Sequence, residues 1–307
     1  MASERELRNR IRSVKNIGQV TRALEAVSAS KVRKAQAQVL ATRAYAVKAW
    51  EILVHVSSQV GASADMHPLL EVRTEPRSGA ILLLTSDRGL CGAFNTNIVR
   101  KTIEFAKKSP WPTMLVTVGS KGRDLMYRAG QQIIADFTVP DPATMLDVTP
   151  IARTVMDDFI SGRVDVVYLA YMDFVNTLIQ RPVVRRLLPL TPSSVEDQAM
   201  AEYLEAGPPL RDAQLEYVYE PSPAAILGEV IPRFSELQVY QAVLESLASE
   251  HSARMVAMRN ATENAEALVD ELILARNKAR QASITSELLD IAGGAEALAQ
   301  AMAAANR

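Results

Sequence analysis

Proline is missing from both ends of this 307-residue chain, since all fifteen prolines lie between Pro68 and Pro232. The first 60 residues contain one glycine, Gly18, and residues 233–292 contain neither glycine nor proline. A proline inside a helix costs about 3 kcal/mol and a glycine about 1 kcal/mol, so segments without them favour long helices. An unbroken helix over 233–292 would be roughly 90 Å long, which is more than a compact domain needs.

The low cysteine content, the small net charge and the lack of long apolar runs each argue against a class of protein. The single cysteine, Cys91, excludes an internal disulfide framework and fits a reducing compartment. The formal net charge of −1 argues against a general polyanion binder. No apolar run approaches the ~18 residues of a membrane span, and the charged N-terminus lacks the apolar region of a secretory signal. We expect a protein that is soluble or peripheral to a larger assembly.

The two proline-free segments carry the periodicity of paired helices. Apolar and small residues recur in alternating steps of three and four, which predicts a coiled-coil seam. The C-terminal positions are Leu237, Tyr240, Leu244, Leu247, His251, Met255, Met258, Thr262, Ala265, Val269 and Leu272, and the N-terminal ones are Leu7, Ile11, Val14, Val32, Ala35, Val39, Ala46, Ala49 and Leu53. We therefore expect an N-terminal helix over 1–60 to pair with a C-terminal helix over 224–305, along an uneven seam.

The charges of the two segments have opposite signs. Residues 1–48 hold eleven Lys/Arg and three Asp/Glu, a net charge of +8. Residues 233–304 hold six Lys/Arg and ten Asp/Glu, a net charge of −4. The opposite signs favour pairing of the two ends and leave positive charge on the N-terminal helix for a partner. A simple solvated basic face explains the excess equally well.

The middle of the chain has the pattern of an α/β domain. Continuous apolar runs predict buried strands over 79–87, 113–119, 132–137 and 164–170, and an edge strand over 182–190. Helical stretches over 95–108, 122–129 and 150–160 alternate with them. We expect a Rossmann-like α/β domain over 77–215 with a mainly parallel five-stranded sheet, in which 191–223 form a connecting loop with a short helix.

Two glycine-containing loops stand where α/β folds bind phosphates, but both are incomplete as motifs. Residues 86–92 and 119–123 each follow a predicted strand. The first lacks GxGxxG, and GxxxxGK[ST] occurs nowhere in the chain. Tight strand-to-helix turns explain these glycines better than a nucleotide does.

Candidate catalytic and metal-binding residues also lack the partners that chemistry requires. Cys91 has no histidine nearby in sequence to act as a base, and His55, His67 and His251 lack metal-ligand spacing. His251 falls on the helical seam, which favours a packed or partly exposed core histidine. The carboxylates Glu75, Asp157 and Asp158 show no acid–base pattern. The sequence therefore predicts no catalytic, cofactor-binding or metal-ligating residue.

Four segments together resemble one family, the gamma subunits of bacterial F-type ATP synthases. The stretch 284–297, Ile-Thr-x-Glu-x-x-Asp-x-x-x-Gly-Ala-x-Ala in outline, fits that family's signature. The segments at 11–34, at 86–95 (SDRGLCGAFN) and at 217–223 (YVYEPSP) agree with it in the same order. The resemblance covers essentially the whole chain.

The resemblance implies a rotor subunit without an active site or cofactor. The two terminal helices would form an antiparallel coiled coil whose tip stands inside a hexamer of alternating alpha and beta subunits. The α/β domain would rest on the membrane c ring and carry the epsilon subunit. Proton flow would turn the shaft, which would transmit torque for ATP synthesis and help to govern ATPase activity and proton flow. The protein would be peripheral, on the cytoplasmic face of the bacterial cell membrane.

The resemblance also assigns roles to single residues. Arg280, Gln281 and Thr285 match positions that hydrogen-bond a beta-subunit loop as a catch. The candidates to meet the acidic lever of beta are Arg8, Arg10, Arg12 and Lys15. Tyr217 and Glu220 match a segment near the c ring and epsilon.

Two other functions remain as alternatives. The first is a nucleotide-binding α/β enzyme that is dimerised by a coiled coil, for which binding and turnover of ATP, ADP or NADH is the discriminating observation. The second is a scaffold or nucleic-acid clamp that uses the basic helix, for which steeply salt-dependent binding would be required.

Overall fold

The computed structural model describes residues 4–60, 67–190 and 222–305. The chain divides into two compact units, one formed by Met1–Ala26 with Ala257–Arg307 and the other by Val27–Val256. The division cuts through both terminal helices rather than between helices and sheet. The domain boundaries expected from the sequence therefore stay a prediction.

The N-terminal helix α1 runs from Glu4 to Val60 without a break. Its sequence explains this length, because the helix contains no proline and only Gly18. The predicted seam positions that are described lie on its buried or half-buried face. Those buried below a tenth of their surface are Leu7, Ile11, Val32, Ala35, Val39, Ala46 and Leu53.

The central sheet confirms the predicted mainly parallel arrangement of five strands. The strands are β1 (Gly79–Leu84), β2 (Thr113–Val118), β3 (Ile133–Phe137), β4 (Val166–Phe174) and β5 (Gln180–Leu188). Their order is β3-β2-β1-β4-β5, and only β5 is antiparallel to its neighbour. The edge position of β5 suits Pro182, which has no N–H to give to a further strand. Every residue of the central strand β1 is buried.

Helices α2 (Phe94–Lys108), α3 (Ser120–Arg128) and α4 (Met145–Ile160) complete the α/β arrangement. Alternate residues of β1 point to two cores. Ile81 and Leu83 pack in a cluster with residues of α2 such as Phe94 and Ile98. Leu82 and Leu84 belong to a cluster with α4 and with Trp50 of α1.

Helix α4 begins one turn earlier than the sequence predicted. The sequence prediction placed the start of this helix at Pro150. The structure starts the helix at Met145, after a capping box in which the Thr144 amide donates to Asp147 Oδ2 at 2.8 Å. Pro150 then lies in the second turn, where it removes a single hydrogen bond to the carbonyl four residues earlier.

The C-terminal helix α5 spans Pro223–Ala305 and includes Pro232. The helix therefore continues through a proline and through Gly293 and Gly294, beyond the 233–292 segment that lacks both residue types. Buried neighbours on both sides of the proline, Ile231 and Phe234, pack into the core and hold this turn in place. Phe234 lies 5.4 Å from Trp50, measured between ring centroids.

Asp165 fastens the segment before β1 to the start of β4. Its carboxylate accepts hydrogen bonds from Arg73 Nη1 at 2.5 Å and from the amides of Arg77 and Ser78 at 2.7 and 2.9 Å. Arg73 also donates to the carbonyls of Phe159 and Val164. Burial raises the pKa of Asp165, but these hydrogen bonds outweigh it and lower the pKa to about 2.

We expect Asp165→Asn to lower the free energy of unfolding by about 2–3 kcal/mol, because it leaves the half-buried Arg73 guanidinium without its counter-charge. Urea unfolding of the full chain, followed by the fluorescence of the only two tryptophans, Trp50 and Trp111, measures this loss. The exposed neighbour Asp157 supplies the control, since Asp157→Asn should change stability by less than about 0.5 kcal/mol.

The Asp165 carboxylate should also make the free energy of unfolding depend on pH in the acidic range. Its contribution is present above the pKa of an unfolded aspartate, about 3.9, and is lost as the pH falls toward the folded pKa of about 2. Asp165→Asn should therefore flatten the stability profile in that window. Equal stability and equal pH profiles for the two asparagine variants would contradict this account.

Candidate functional site

The four basic residues assigned to a partner's acidic lever lie on the exposed side of α1. Arg8, Arg10, Arg12 and Lys15 are all exposed, whereas the nearby Leu7 and Ile11 are each 7 % exposed. Arg8 pairs with Glu4 one turn earlier at 2.9 Å. An exposed pair of this kind contributes little to stability, so these cations remain accessible to an acidic surface.

Within the unit formed by Met1–Ala26 and Ala257–Arg307, α1 and α5 contact each other through small residues and ion pairs. Thr21 Oγ1 and Thr262 Oγ1 are 2.7 Å apart, and a Cβ on Gly18 would lie 3.5 Å from that of Ala265. Glu25 accepts from Arg259 Nε at 2.9 Å. Residue numbers rise on one helix as they fall on the other, so these segments run antiparallel.

An open groove of about 340 Å³ follows this contact, and sequence reasoning missed it. The lining residues are Asn9, Arg10, Ser13, Val14, Leu268 and Leu272.

The three residues assigned to the catch lie on the C-terminal part of α5. Arg280, Gln281 and Thr285 are all exposed. Thr285 Oγ1 donates to the carbonyl of Gln281 at 2.9 Å, which places both residues on one face of the helix. The structure therefore places the catch residues together on α5.

The helix around these residues exposes large apolar side chains. Ile284, Leu288 and Ile291 recur at steps of four and three, with 48 %, 62 % and 70 % of their surface exposed. Every residue over 281–296 is exposed. A folded chain rarely leaves such a patch in water without a partner, which indicates an interaction surface.

The glycines of the second glycine-containing loop, 119–123, pack closely against Thr85. A Cβ on Gly119, whose φ is +95°, would lie 2.3 Å from the carbonyl oxygen of Thr85. A Cβ on Gly122 would lie 2.5 Å from Thr85 Oγ1. Gly119 and Gly122 are thus needed for close packing against Thr85, whereas a Cβ on Gly89 of the first loop would meet nothing within 4 Å.

The backbone amides that would bind a nucleotide are engaged within the protein. At the start of α3, Ser120 N donates to Asp87 Oδ1 at 2.9 Å and Gly122 N donates to Thr85 Oγ1 at 2.9 Å. Lys121 N donates to the carbonyl of Ser86 at 3.1 Å. The Asp87 carboxylate occupies the place of an anion at this helix N-terminus, so nothing favours the nucleotide-enzyme alternative.

Cys91 and His67 play structural parts. The Cys91 thiol is buried beside Asn95, whose Nδ2 lies 3.3 Å from it. His67 Nδ1 accepts from Leu69 N at 3.2 Å, and burial lowers the pKa of this histidine. The side chain of His55 lies outside the described residues. Across residues 4–60, 67–190 and 222–305, no three His, Cys, Asp or Glu side chains are grouped as a metal site requires.

The carboxylates singled out in the sequence are also ordinary surface or structural groups. Asp157 is exposed, Asp158 accepts from Arg163 Nη1 at 2.6 Å, and Glu75 lies 3.8 Å from Arg77. Tyr217 and Glu220, the residues assigned to the c ring and epsilon, lie outside the described residues. The helices that the structure describes include none with the length and apolarity to cross a membrane.

The family model for ATP synthase matches residues 3–298 of this chain. The ATP synthase gamma chain of Dehalococcoides mccartyi strain CBDB1 is 48 % identical over 300 residues, which cover 97 % of this chain and 100 % of the relative. That of Roseiflexus castenholzii is 45 % identical over 306 residues, which cover 98 % and 100 %.

Solved structures give the same likeness. The central stalk and c-ring structure of the Tetrahymena thermophila mitochondrial ATP synthase contains a chain with 26 % identity and a TM-score of 0.58, covering 79 % of this chain and 99 % of that one. A chain of the Euglena gracilis mitochondrial ATP synthase in its OSCP/F1/c-ring structure has 23 % identity and a TM-score of 0.64, covering 96 % and 94 %. At 23 % identity, the similarity to the Euglena gracilis chain supports the fold alone.

Proposed function

This chain belongs to the ATP synthase gamma-chain family, and on that premise we propose how its helices and sheet act in the complex. A gamma chain is a subunit of the central stalk and is not itself catalytic. The proposal concerns how this subunit meets its partners and transmits torque.

The two terminal helices act as an antiparallel coiled-coil shaft. The seam positions predicted from the sequence are mostly buried on α5, including Leu244, Met258, Ala265 and Val269. The antiparallel contacts of Thr21 with Thr262 and of Glu25 with Arg259 support the same pairing. Because small residues alternate with large ones, the shaft is uneven, and an uneven rod pushes identical partners differently at each angle.

The observation that carries the proposal is the exposed helix over 281–296. A single helix with water on every side is not stabilised by its own packing, so a partner must cover its apolar stripe. The alpha and beta subunits supply that surface, and Arg280, Gln281 and Thr285 hydrogen-bond a beta-subunit loop beside it. Arg8, Arg10, Arg12 and Lys15 meet the acidic lever of beta.

The sheet serves as the base of the rotor. It rests on the c ring and carries epsilon, with Tyr217 and Glu220 in the contact. Proton flow through the membrane turns the ring, and the chain passes the torque to the catalytic hexamer from the cytoplasmic face of a bacterial cell membrane. The loops at Thr85 and Asp87 support this role, since Asp87 Oδ1 and Thr85 Oγ1 accept from the amides of Ser120 and Gly122 within the chain.

Co-purification tests the proposal directly. When the tagged chain is expressed with alpha, beta and epsilon subunits, we expect one complex that contains all four and hydrolyses ATP. The isolated chain should neither bind nor turn over ATP, ADP or NADH at micromolar concentrations. Turnover of a nucleotide by the isolated chain would contradict the proposal. So would failure of the chain to form a complex with the alpha, beta and epsilon subunits.

A further inference from the structure

A chain of polar contacts joins four separate elements within the unit formed by Val27–Val256. Its centre is Asp141, which lies between β3 and α4. Asp141 Oδ2 accepts from Lys31 Nζ of α1 at 2.6 Å and lies 3.1 Å from His251 Nε2 of α5. One carboxylate thus touches both long helices.

Arg254, one turn further along α5, extends the contacts to the loop between β1 and α2. Its guanidinium donates to the carbonyl of Gly89 at 3.3 Å and to that of Arg88 at 3.4 Å. Glu250 holds it in place with an ion pair of 2.7 Å. We name Lys31, Asp141, Glu250, His251 and Arg254 the polar joint.

His251 connects the two halves of the polar joint. Burial, with the nearby Arg254 and Lys31 charges, lowers its pKa to about 4 against the opposing pull of Asp141, so the ring is neutral near pH 7. Its Nδ1 lies 3.4 Å from Arg254 Nη1, a group that can only donate. Nδ1 accepts from this donor in the tautomer whose proton is on Nε2, the atom that lies 3.1 Å from Asp141 Oδ2.

Packing alone does not explain these residues. Only 3 % of His251 and 9 % of Glu250 is exposed, and burial of ionisable groups is costly compared with an apolar contact of the same volume. Apolar burial is non-directional, so surfaces that rely on it resist separation better than sliding. Charge-assisted hydrogen bonds depend on distance and angle, so they resist a change of register.

We propose that the polar joint is the torsional coupling between the sheet and the two helices, a role that rests on the proposed rotor function. Lys31, Asp141 and Arg254 are positioning residues: they fix the helices at one angle against the sheet, so that torque on the sheet turns the shaft instead of shearing the core. The core holds the unit together, and the polar joint makes it stiff against twist.

Torsional stiffness of the assembled complex tests this role. A bead is attached to the sheet through Lys101→Cys, an exposed position of α2, while the buried Cys91 stays unreactive. With the catalytic hexamer immobilised and locked by a non-hydrolysable ATP analogue, the angular variance of the bead reports the stiffness of the rotor. We expect Arg254→Met and Lys31→Met each to raise this variance about two-fold or more, because each removes directional charge-assisted bonds.

The matched control is Arg233→Met, which removes an exposed pair with Glu229 on the same helix and should leave the variance unchanged. Lys31→Arg should restore the stiffness that Lys31→Met loses, since it can still donate to Asp141. Lys31 has 42 % of its side chain exposed, so its variants remain informative if Arg254→Met fails to assemble.

An angular variance of the bead in Lys31→Met equal to that in Arg233→Met would overturn the proposed role of the polar joint. That outcome leaves the rotor function intact if the wild-type bead still rotates during ATP hydrolysis. A wild-type bead that never rotates would instead remove the proposed function on which the joint rests.

Discussion

Replacing Arg280 and Gln281 together by leucine is expected to lower coupled ATP synthesis about ten-fold or more without preventing assembly. Loss of charged hydrogen bonds at an interface costs about 2–5 kcal/mol. A ten-fold loss of rate corresponds to only about 1.4 kcal/mol. Both side chains are exposed and contribute nothing to the core of this chain. Leucine keeps the helix, so the effect must come from lost contacts with a partner.

The measurement is ATP synthesis by membrane vesicles under an imposed proton gradient, normalised to the amount of assembled complex. The exposed Lys278 supplies the matched control, because Lys278→Gln also removes a charge nearby on the same helix. Lys278→Gln should retain nearly full synthesis. Equal rates for the double leucine variant and this control would show that the catch residues are wrongly assigned.

Gly119→Ala is expected to destabilise the unit that contains the sheet by about 3–5 kcal/mol, because strain and overpacking act at the same position. The residue has a φ of +95°, and its new Cβ would meet the carbonyl oxygen of Thr85 at 2.3 Å. That oxygen belongs to the backbone next to β1, so it cannot move aside without disturbing the sheet.

Substitution of Gly130 distinguishes backbone strain from overpacking. It also has a positive φ, +70°, but nothing lies within 4 Å of a Cβ built on it. Gly130→Ala should therefore cost only the conformational term, about 1–2 kcal/mol. Urea unfolding followed by tryptophan fluorescence compares the two variants, and similar losses for both would rule out the close approach of Thr85 as the reason for Gly119.

The sheet could be predicted from the sequence because its central strand is a continuous apolar run and the other strands are rich in apolar residues. Residues 79–84 are all apolar or glycine and all buried, which is the signature of a central parallel strand. The start of α4 was wrong because Pro150 was taken as the first residue of the helix. The stronger signal was the pair Thr144 and Asp147, whose spacing is that of a capping box.

The polar joint could not be predicted in the same way. His251 was expected to be a packed residue of the seam, and its burial confirms this. Its neighbours come from distant parts of the chain: Asp141 is 110 residues away, and Arg254 meets a loop 165 residues before it. Local periodicity carries no information about such contacts, and only the folded sheet brings these elements together.

Some of the interaction surfaces could be predicted from the sequence, and others could not. The basic residues of α1 and the catch residues of α5 followed from the resemblance, and the structure adds that all of them are exposed. The groove lined by Val14 and Leu272 depends on the spacing of two helices, which no single segment encodes. What those surfaces bind remains a proposal about the complex.

Rotation of the sheet during catalysis tests the rotor account most directly. The complex is immobilised through its catalytic hexamer, a bead is attached through Lys101→Cys, and the angle of the bead is recorded while ATP is hydrolysed. The account predicts continuous rotation in one direction, at a rate that follows ATP turnover. Full ATP hydrolysis with a bead that stays at a fixed angle would contradict it.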